Sequence, residues 1–420
     1  MRIEVVTIGD ELLLGFTIDT NAAHLARELA AVGVEIVRRT TCGDSAESIG
    51  AAVRDALDRA DGVITTGGLG PTSDDLTKPS IAELFGRGMR LDEAHLAWMR
   101  ERWAARWPDR PMPEANVQQA MLPEGARKLA NNHGSAPGIF LEDERGRWVA
   151  MLPGVPREMR GMLVDTLLPL VRERLGDVHR VVRSRTLRTT GVAESLVADR
   201  IGQIPGGVGA VALAYLPNVD GVDLRLTVRD LPPDEADARL AAAVAQVRGV
   251  MGTAIYGEGE CDLAAVVLVD CRARGITLGV AESCTGGLLG ARLTAVPGSS
   301  DVVRGGVIAY DDAIKRSLLG VPAESLREHG AVSESVVRAM ATGARARLDV
   351  QASLAITGIA GPAGGSDAKP VGTVWIALDL DGTVEARLLR LWGDRDEVRR
   401  RAAQAALELL RRALAPLREE

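Results

Sequence analysis

Twice, far apart in this chain, an apolar run ends in a glycine-rich loop with aspartate close behind: VITTGGLGPTSDD at 63–75 and LAITGIAGPAGGSD at 354–367. A short apolar strand discharging into glycines, between helical stretches, points to a parallel sheet with helices covering both faces. The flanking sequence agrees. RIEVVTIG reads as a strand and NAAHLARELAAVG as a helix whose Gly33 suits a C-cap. VEIVRRTT is a second strand and SAESIGAAVRDALDRA a second helix, so the order up to the first loop is β-loop-α-β-α-β. The alternation returns late in the chain with helix LAAVVLVDCRARG and strands ITLGVAE, GGVIAY, ASLAITG and GTVWIALD. Helix SESVVRAMATGARARLD lies among them, and the amphipathic DRDEVRRRAAQAALELLRRALAPL closes the section. The two glycine loops read as convergent loop chemistry, because the surrounding patterns do not align as a repeat. In sheets of this kind ligands gather beyond the carboxyl ends of the strands.

Between the two alternating sections the rhythm changes. RSRTLRTTG leads into helix AESLVADRIG, strands VALAYLPN and VDLRLTVRD flank a turn at 218–221, and helix PDEADARLAAAVAQVRGVMG follows two prolines. This is a small α+β module, read as a spacer or interface domain. A chain of 420 residues exceeds what one core usually serves. The expectation is therefore an α/β protein: two α/β domains with mostly parallel sheets flanked by helices, at 1–170 and 256–420, joined by a small α+β domain at 171–255.

Composition excludes several classes. The apolar runs fall short of the roughly 18 residues expected of a membrane span, so no membrane partner is expected. MRIEVVTIGDE places acids where a signal peptide would be apolar, which makes a cytoplasmic location the expectation. The cysteines at 42, 261, 271 and 284 form no CxxC pair and read as reduced thiols. Five scattered histidines argue against zinc, and a net charge of -7 argues against a dedicated nucleic-acid partner.

Chemistry concentrates at GVAESCTGGLLG, residues 279–290. Ser283 sits between a strand and a Gly-Gly helix start, where free N–H groups stabilise an anion; the competing role for Ser283 or Thr285 is a helix N-cap. A hydroxyl needs a base to become a nucleophile. GGVIAYDDAIK offers Tyr310 at a strand end and Lys315 about one helical turn on; Ser-Lys hydrolases use such a lysine in place of histidine.

Taken in order, AESCTGG, VPGSS, GGVIAYDDAIK, LGV, HGAVSE, TGIAGPAGGS and KPVGTVW resemble the C-terminal amidohydrolase domain of the CinA family, found also alone as the PncC-type nicotinamide mononucleotide deamidase. The resemblance implies Ser283 as nucleophile and Tyr310 with Lys315 as the proton-transfer pair. It implies hydrolysis of the nicotinamide mononucleotide carboxamide to the carboxylate and ammonia, with no cofactor. Amides around Thr285, Gly286 and Gly287 are candidate oxyanion donors. Thr357, Gly358 and Gly361 are candidates for a phosphate cradle, with Arg395 or Arg399 adding a cation. One departure stands out: where the family commonly has Ser-Asn after the tyrosine, this chain has Asp311 and Asp312.

At the other end, IGDELLLG, DTN at 19–21, GGLGPTSDDLTK and PGVPREM resemble the molybdopterin-binding-like N-terminal domain of the same family, which is associated with metal-dependent ADP-ribose pyrophosphatase activity. That implies a divalent metal held among Asp10, Glu11, Asp74 and Asp75. Gly67, Gly68, Gly70 and Thr72 would hold a phosphate, with Lys78 as its partner. The middle module resembles the family's small KH-like domain, without a clear G-x-x-G loop or aromatic surface for RNA. A homodimer is the prior for such a chain. The rival readings are a nucleotide-binding regulatory protein linked to competence or DNA damage, and a pterin or molybdenum-cofactor role for the N-terminal domain.

Overall fold

The computed structural model describes residues 1–176 and 180–415. The chain divides into two compact units, Met1–Arg183 with Val228–Ala238, and Ser184–Thr227 with Arg239–Glu420. Among the described residues no helix is long and apolar enough to cross a membrane.

The first unit is built on a six-stranded sheet. Strands Glu35–Cys42, Arg2–Ile8, Gly62–Thr66 and Trp148–Leu152 run parallel, and Gly138–Glu142 and Arg127–Leu129 extend the sheet antiparallel. Gly62–Thr66 and Trp148–Leu152 are buried throughout, as strands with covered faces must be. Helix Thr20–Ala31 is capped by Asp19, whose side chain accepts from the Ala22 amide, and helix Ala46–Leu57 is capped by Ser45.

The second unit holds two sheets. Ala212–Pro217, Val222–Leu231, Val181–Thr189 and Ile255–Glu258 form the four-stranded sheet of the α+β module. Its turn is closed by Asn218, whose side chain accepts from the amides of Asp220 and Gly221. The other sheet has the order Val303–Ile308, Leu278–Glu282, Ala352–Gly358, Thr373–Leu380, Thr383–Arg390. Its first three strands are parallel and its last two antiparallel. The expected β-α alternation gives only the parallel heart of each sheet; antiparallel strands finish both. The closing helix Arg395–Leu414 packs Ala402, Ala406, Leu407 and Leu410 into the core against Leu263, Val267 and Leu354. The last two positions of the expected helix, Pro416 and Leu417, lie outside the described residues.

Candidate functional site

Strand register assembles the C-terminal site. Glu282, the last residue of its strand, pairs with Ile308 on one side and Ile356 on the other. Just beyond, the Ser283 amide donates to the Ile356 carbonyl at 2.9 Å and the Ala309 amide to the Glu282 carbonyl at 2.7 Å. Ser283, Tyr310 and Thr357 therefore leave three neighbouring parallel strands at one edge, although 74 residues separate the first from the last (357 − 283).

Glu282 fixes the turn that carries Ser283. Its buried carboxylate accepts from the amides of Gly287, Leu289 and Gly290 at 3.0, 3.0 and 2.8 Å. These include the first amides of helix Leu288–Thr294, which has no side-chain N-cap of its own. Neither Ser283 nor Thr285 caps it. Of the three amides proposed as oxyanion donors, two are spent: Gly286 donates to the Ser283 carbonyl and Gly287 to Glu282. Their role is conformational, with φ of +60° and +95°. Thr285 differs, because its hydroxyl is buried without a partner and its amide is engaged by nothing among the described residues. Cys284 turns into the core, where burial pushes its thiol up to about 11.

Lys315 is buried, and its ammonium donates to the Tyr310 carbonyl at 3.3 Å and to Asp312 at 3.0 Å. Asp311 instead caps helix Asp312–Leu319 by accepting from the Ala313 amide. The two acids of this chain's departure thus separate into a helix cap and an ion-pair partner. Tyr310 is exposed, and its hydroxyl accepts from Arg395 at 2.8 Å; the same guanidinium donates to the Gly361 carbonyl at 2.6 Å. Arg399 donates to the Thr285 carbonyl at 2.8 Å. Both arginines stand in the first turns of the closing helix, which a capping box of Asp394 and Glu397 fixes in place.

One member of the expected phosphate cradle already has a partner. The Thr357 hydroxyl donates to the Ala331 carbonyl at 2.9 Å. A Cβ on Gly358 would lie 2.6 Å from Val374, and one on Gly361 would lie 2.7 Å from Val371. Close packing requires glycine at both positions.

In the first unit a cavity of about 500 Å³ opens beyond the strand ends, lined by Glu11, Asp19, Asn21, Asp44, Thr66, Gly67, Gly68, Gly70, Asp74, Asp75, Gly154 and Glu158 among others. A Cβ on Gly67 would meet the Ile8 carbonyl oxygen at 2.1 Å, and one on Gly68 the Thr77 hydroxyl at 2.1 Å. Asp75 clamps the loop by accepting from the amides of Gly70 and Thr72 and from the Thr72 hydroxyl. Thr72 is thereby a loop residue and lies outside the lining. Lys78 lies outside it too: buried, it donates to the Gln118 carbonyl, and burial pushes its ammonium down to about 8. Asp10 is tied to Asp44 through amide-carboxylate bonds and does not line the cavity. Among the described residues no three Asp, Glu, His or Cys side chains converge to hold a metal ion, so Asp10, Glu11, Asp74 and Asp75 do not form a protein-only cage.

Comparison with known proteins accounts for the whole order of domains. The family described as probable molybdopterin binding domain matches residues 4–173, the damage-inducible protein CinA KH domain 184–257, and the CinA C-terminal domain 260–414. A CinA-like protein of Gemmatimonas aurantiaca is 62% identical over 415 residues, covering 99% of this chain and 97% of the relative. The chain belongs to the CinA family. A CinA-like protein of Gloeobacter violaceus is 44% identical across 98% of this chain and 96% of its own length. The crystal structure of a CinA superfamily protein from Klebsiella pneumoniae is 40% identical over 36% of this chain and 95% of that chain, with a TM-score of 0.36.

In this CinA-family chain the residues that sequence reasoning missed are the ones that hold others. Glu282 was visible as the acid before Ser283, but nothing local says that it binds three amides ahead of it. Asn21 bonds the Thr66 hydroxyl and the Gly154 carbonyl, and its own Oδ1 is buried without a partner at the cavity. The Asp19 helix cap next to it was the available signal.

Proposed function

We propose that this chain hydrolyses the carboxamide of nicotinamide mononucleotide with Ser283 as nucleophile. The observation that carries the reading is that strand register brings Ser283 and Tyr310 out at one sheet edge, the Ser283 hydroxyl without a hydrogen bond among the described residues and Lys315 buried against the Tyr310 carbonyl. Ser283 Oγ attacks the amide carbon while its proton passes to the Lys315–Tyr310 pair. The Tyr310 hydroxyl accepts from Arg395, which leaves its own proton free to donate. The Thr285 amide and hydroxyl receive the oxyanion. The C–N bond then breaks, ammonia departs with a proton from the pair, and water hydrolyses the acyl-serine to the carboxylate.

The test is ammonia release from nicotinamide mononucleotide by the full chain without added metal. Ser283→Ala is expected to lose about 10³-fold or more, with Cys284→Ala active. A wild-type chain that binds the nucleotide and releases no ammonia would overturn the reading and favour a nucleotide-binding regulatory protein.

A second activity, metal-dependent hydrolysis of ADP-ribose, is favoured by the first unit's glycine-walled cavity. Glu11 and Asp74 line it and would share a hydrated divalent ion with the substrate's phosphates, the usual mode for magnesium. When bound, such an ion neutralises phosphate charge and supplies an activated water. Asn21 Oδ1 would accept a hydrogen bond from the ligand. Chelation by EDTA is expected to stop ADP-ribose hydrolysis and spare ammonia release. Binding of a pterin in place of ADP-ribose in a calorimetric titration would support the molybdenum-cofactor reading instead.

A further inference from the structure

A second cavity in the second unit, about 390 Å³, lies where the α+β module meets the closing helix and strand Thr383–Arg390. It is separate from the Ser283 edge. Gln404, which lines it, follows Arg395 by nine positions (404 − 395), about two and a half helical turns, and so stands on the opposite face of that helix.

Gln404 is buried, and its Nε2 donates to the Thr190 hydroxyl at 3.0 Å. The Thr190 hydroxyl in turn donates to the Asp220 carbonyl at 3.2 Å, which agrees with this amide orientation. Gln404 Oε1 is consequently a buried acceptor with no donor, which is costly to leave unmet. Arg401 Nε is likewise buried without an acceptor. The charge balance points the same way. Arg387 is paired with Glu385, and Arg412 with Glu408. Arg390 bonds only the neutral Thr373 hydroxyl, and Arg401 rests on the Trp392 indole at 3.8 Å; among the described residues neither has a carboxylate partner. Trp392 remains 70% exposed, an aromatic surface held at the cavity wall.

We propose that this cavity binds a small anion that carries an aromatic ring and an N–H or O–H donor, the chemistry of a nucleoside monophosphate. The anion meets Arg390 and Arg401, the donor meets Gln404 Oε1, and the ring lies against Trp392. The volume falls in the usual range for small-molecule sites.

The experiment is isothermal titration of the full chain with AMP, adenosine and inorganic phosphate, comparing wild type with Gln404→Met and Arg401→Gln. AMP is expected to bind tighter than adenosine or phosphate, and each variant to weaken it about tenfold or more. Absence of AMP binding, AMP affinity unchanged in both variants, or phosphate binding as tightly as AMP would overturn the proposal. Ligand-free melting of each variant shows whether it folds. Should one fail, the other decides.

Discussion

The Lys315 ammonium, buried at the sheet edge, lies 3.0 Å from the carboxylate of Asp312, which is 57% exposed. To receive a proton from Ser283, the Lys315 ammonium must first release one and with it the ion pair, so Asp312 opposes the role proposed for its partner. A pair with one exposed member is worth up to about 1 kcal/mol. Replacing Asp312 by Asn is therefore expected to raise ammonia release by up to about fivefold, the rate equivalent of that energy. Lys315→Met keeps the buried stem and removes the amine, and should lower the rate about 10²-fold or more. An Asp312→Asn chain as slow as Lys315→Met would show that Asp312 works for the reaction.

The four thiols differ in reach. Burial pushes Cys42, Cys271 and Cys284 up to about 11, whereas Cys261 is only partly buried. At pH 8 the three buried thiols are almost wholly protonated, and the thiolate is the reactive form. Iodoacetamide is expected to label Cys261 first, with ammonia release preserved. Activity that falls in step with labelling of Cys284, followed by peptide mass mapping, would make that thiol part of the reaction.

Strand patterning made the parallel strands legible, because a strand covered on both faces has no place for solvated charge, and Gly62–Thr66, buried throughout, carries none. It made Ser283 and Tyr310 legible as strand-end residues, with Lys315 about one helical turn beyond. The packing role of the glycines was hidden from it. Gly358 and Gly361 stand where side chains of Val374 and Val371 come close, the first through a strand pairing and the second through a loop approach, neither of which a local pattern contains. Lys78 and Thr72 were read toward a phosphate for the same reason: the loop's composition is that of an anion cradle, while its geometry spends Thr72 on Asp75 and buries Lys78. The partners of Glu282 and Asn21 were illegible because they depend on how a loop folds back, which spacing does not encode.

Lys78 gives a pH test of that reassignment. Its ammonium is pushed down to about 8 in the folded chain from an ordinary 10.5, chiefly by burial. Between those values the unfolded chain holds a proton that the folded chain has released, so unfolding takes up protons and stability rises with pH. The burial penalty is full below pH 8 and disappears as pH climbs toward 10.5. Relative to Lys78→Met, wild type should gain about 3 kcal/mol between pH 7 and 10.5, on the order set by the shift. Denaturant melts of the N-terminal transition at several pH values measure this. Parallel curves would place the Lys78 amine in contact with water.

Glu282 makes the sharpest structural prediction. Its carboxylate is the acceptor for three amides and has nothing to donate to them. In Glu282→Gln one oxygen becomes an NH₂ group facing an N–H group, so at least one buried donor loses its partner and the rest lose their charge assistance. A loss of about 2–3 kcal/mol is expected, read as a lower melting temperature of the C-terminal transition. Because the same amides set the turn that presents Ser283, ammonia release should fall with little change in KM. A Gln variant that melts and turns over like wild type would mean that packing around Leu289 and Leu293 holds the turn without the charge.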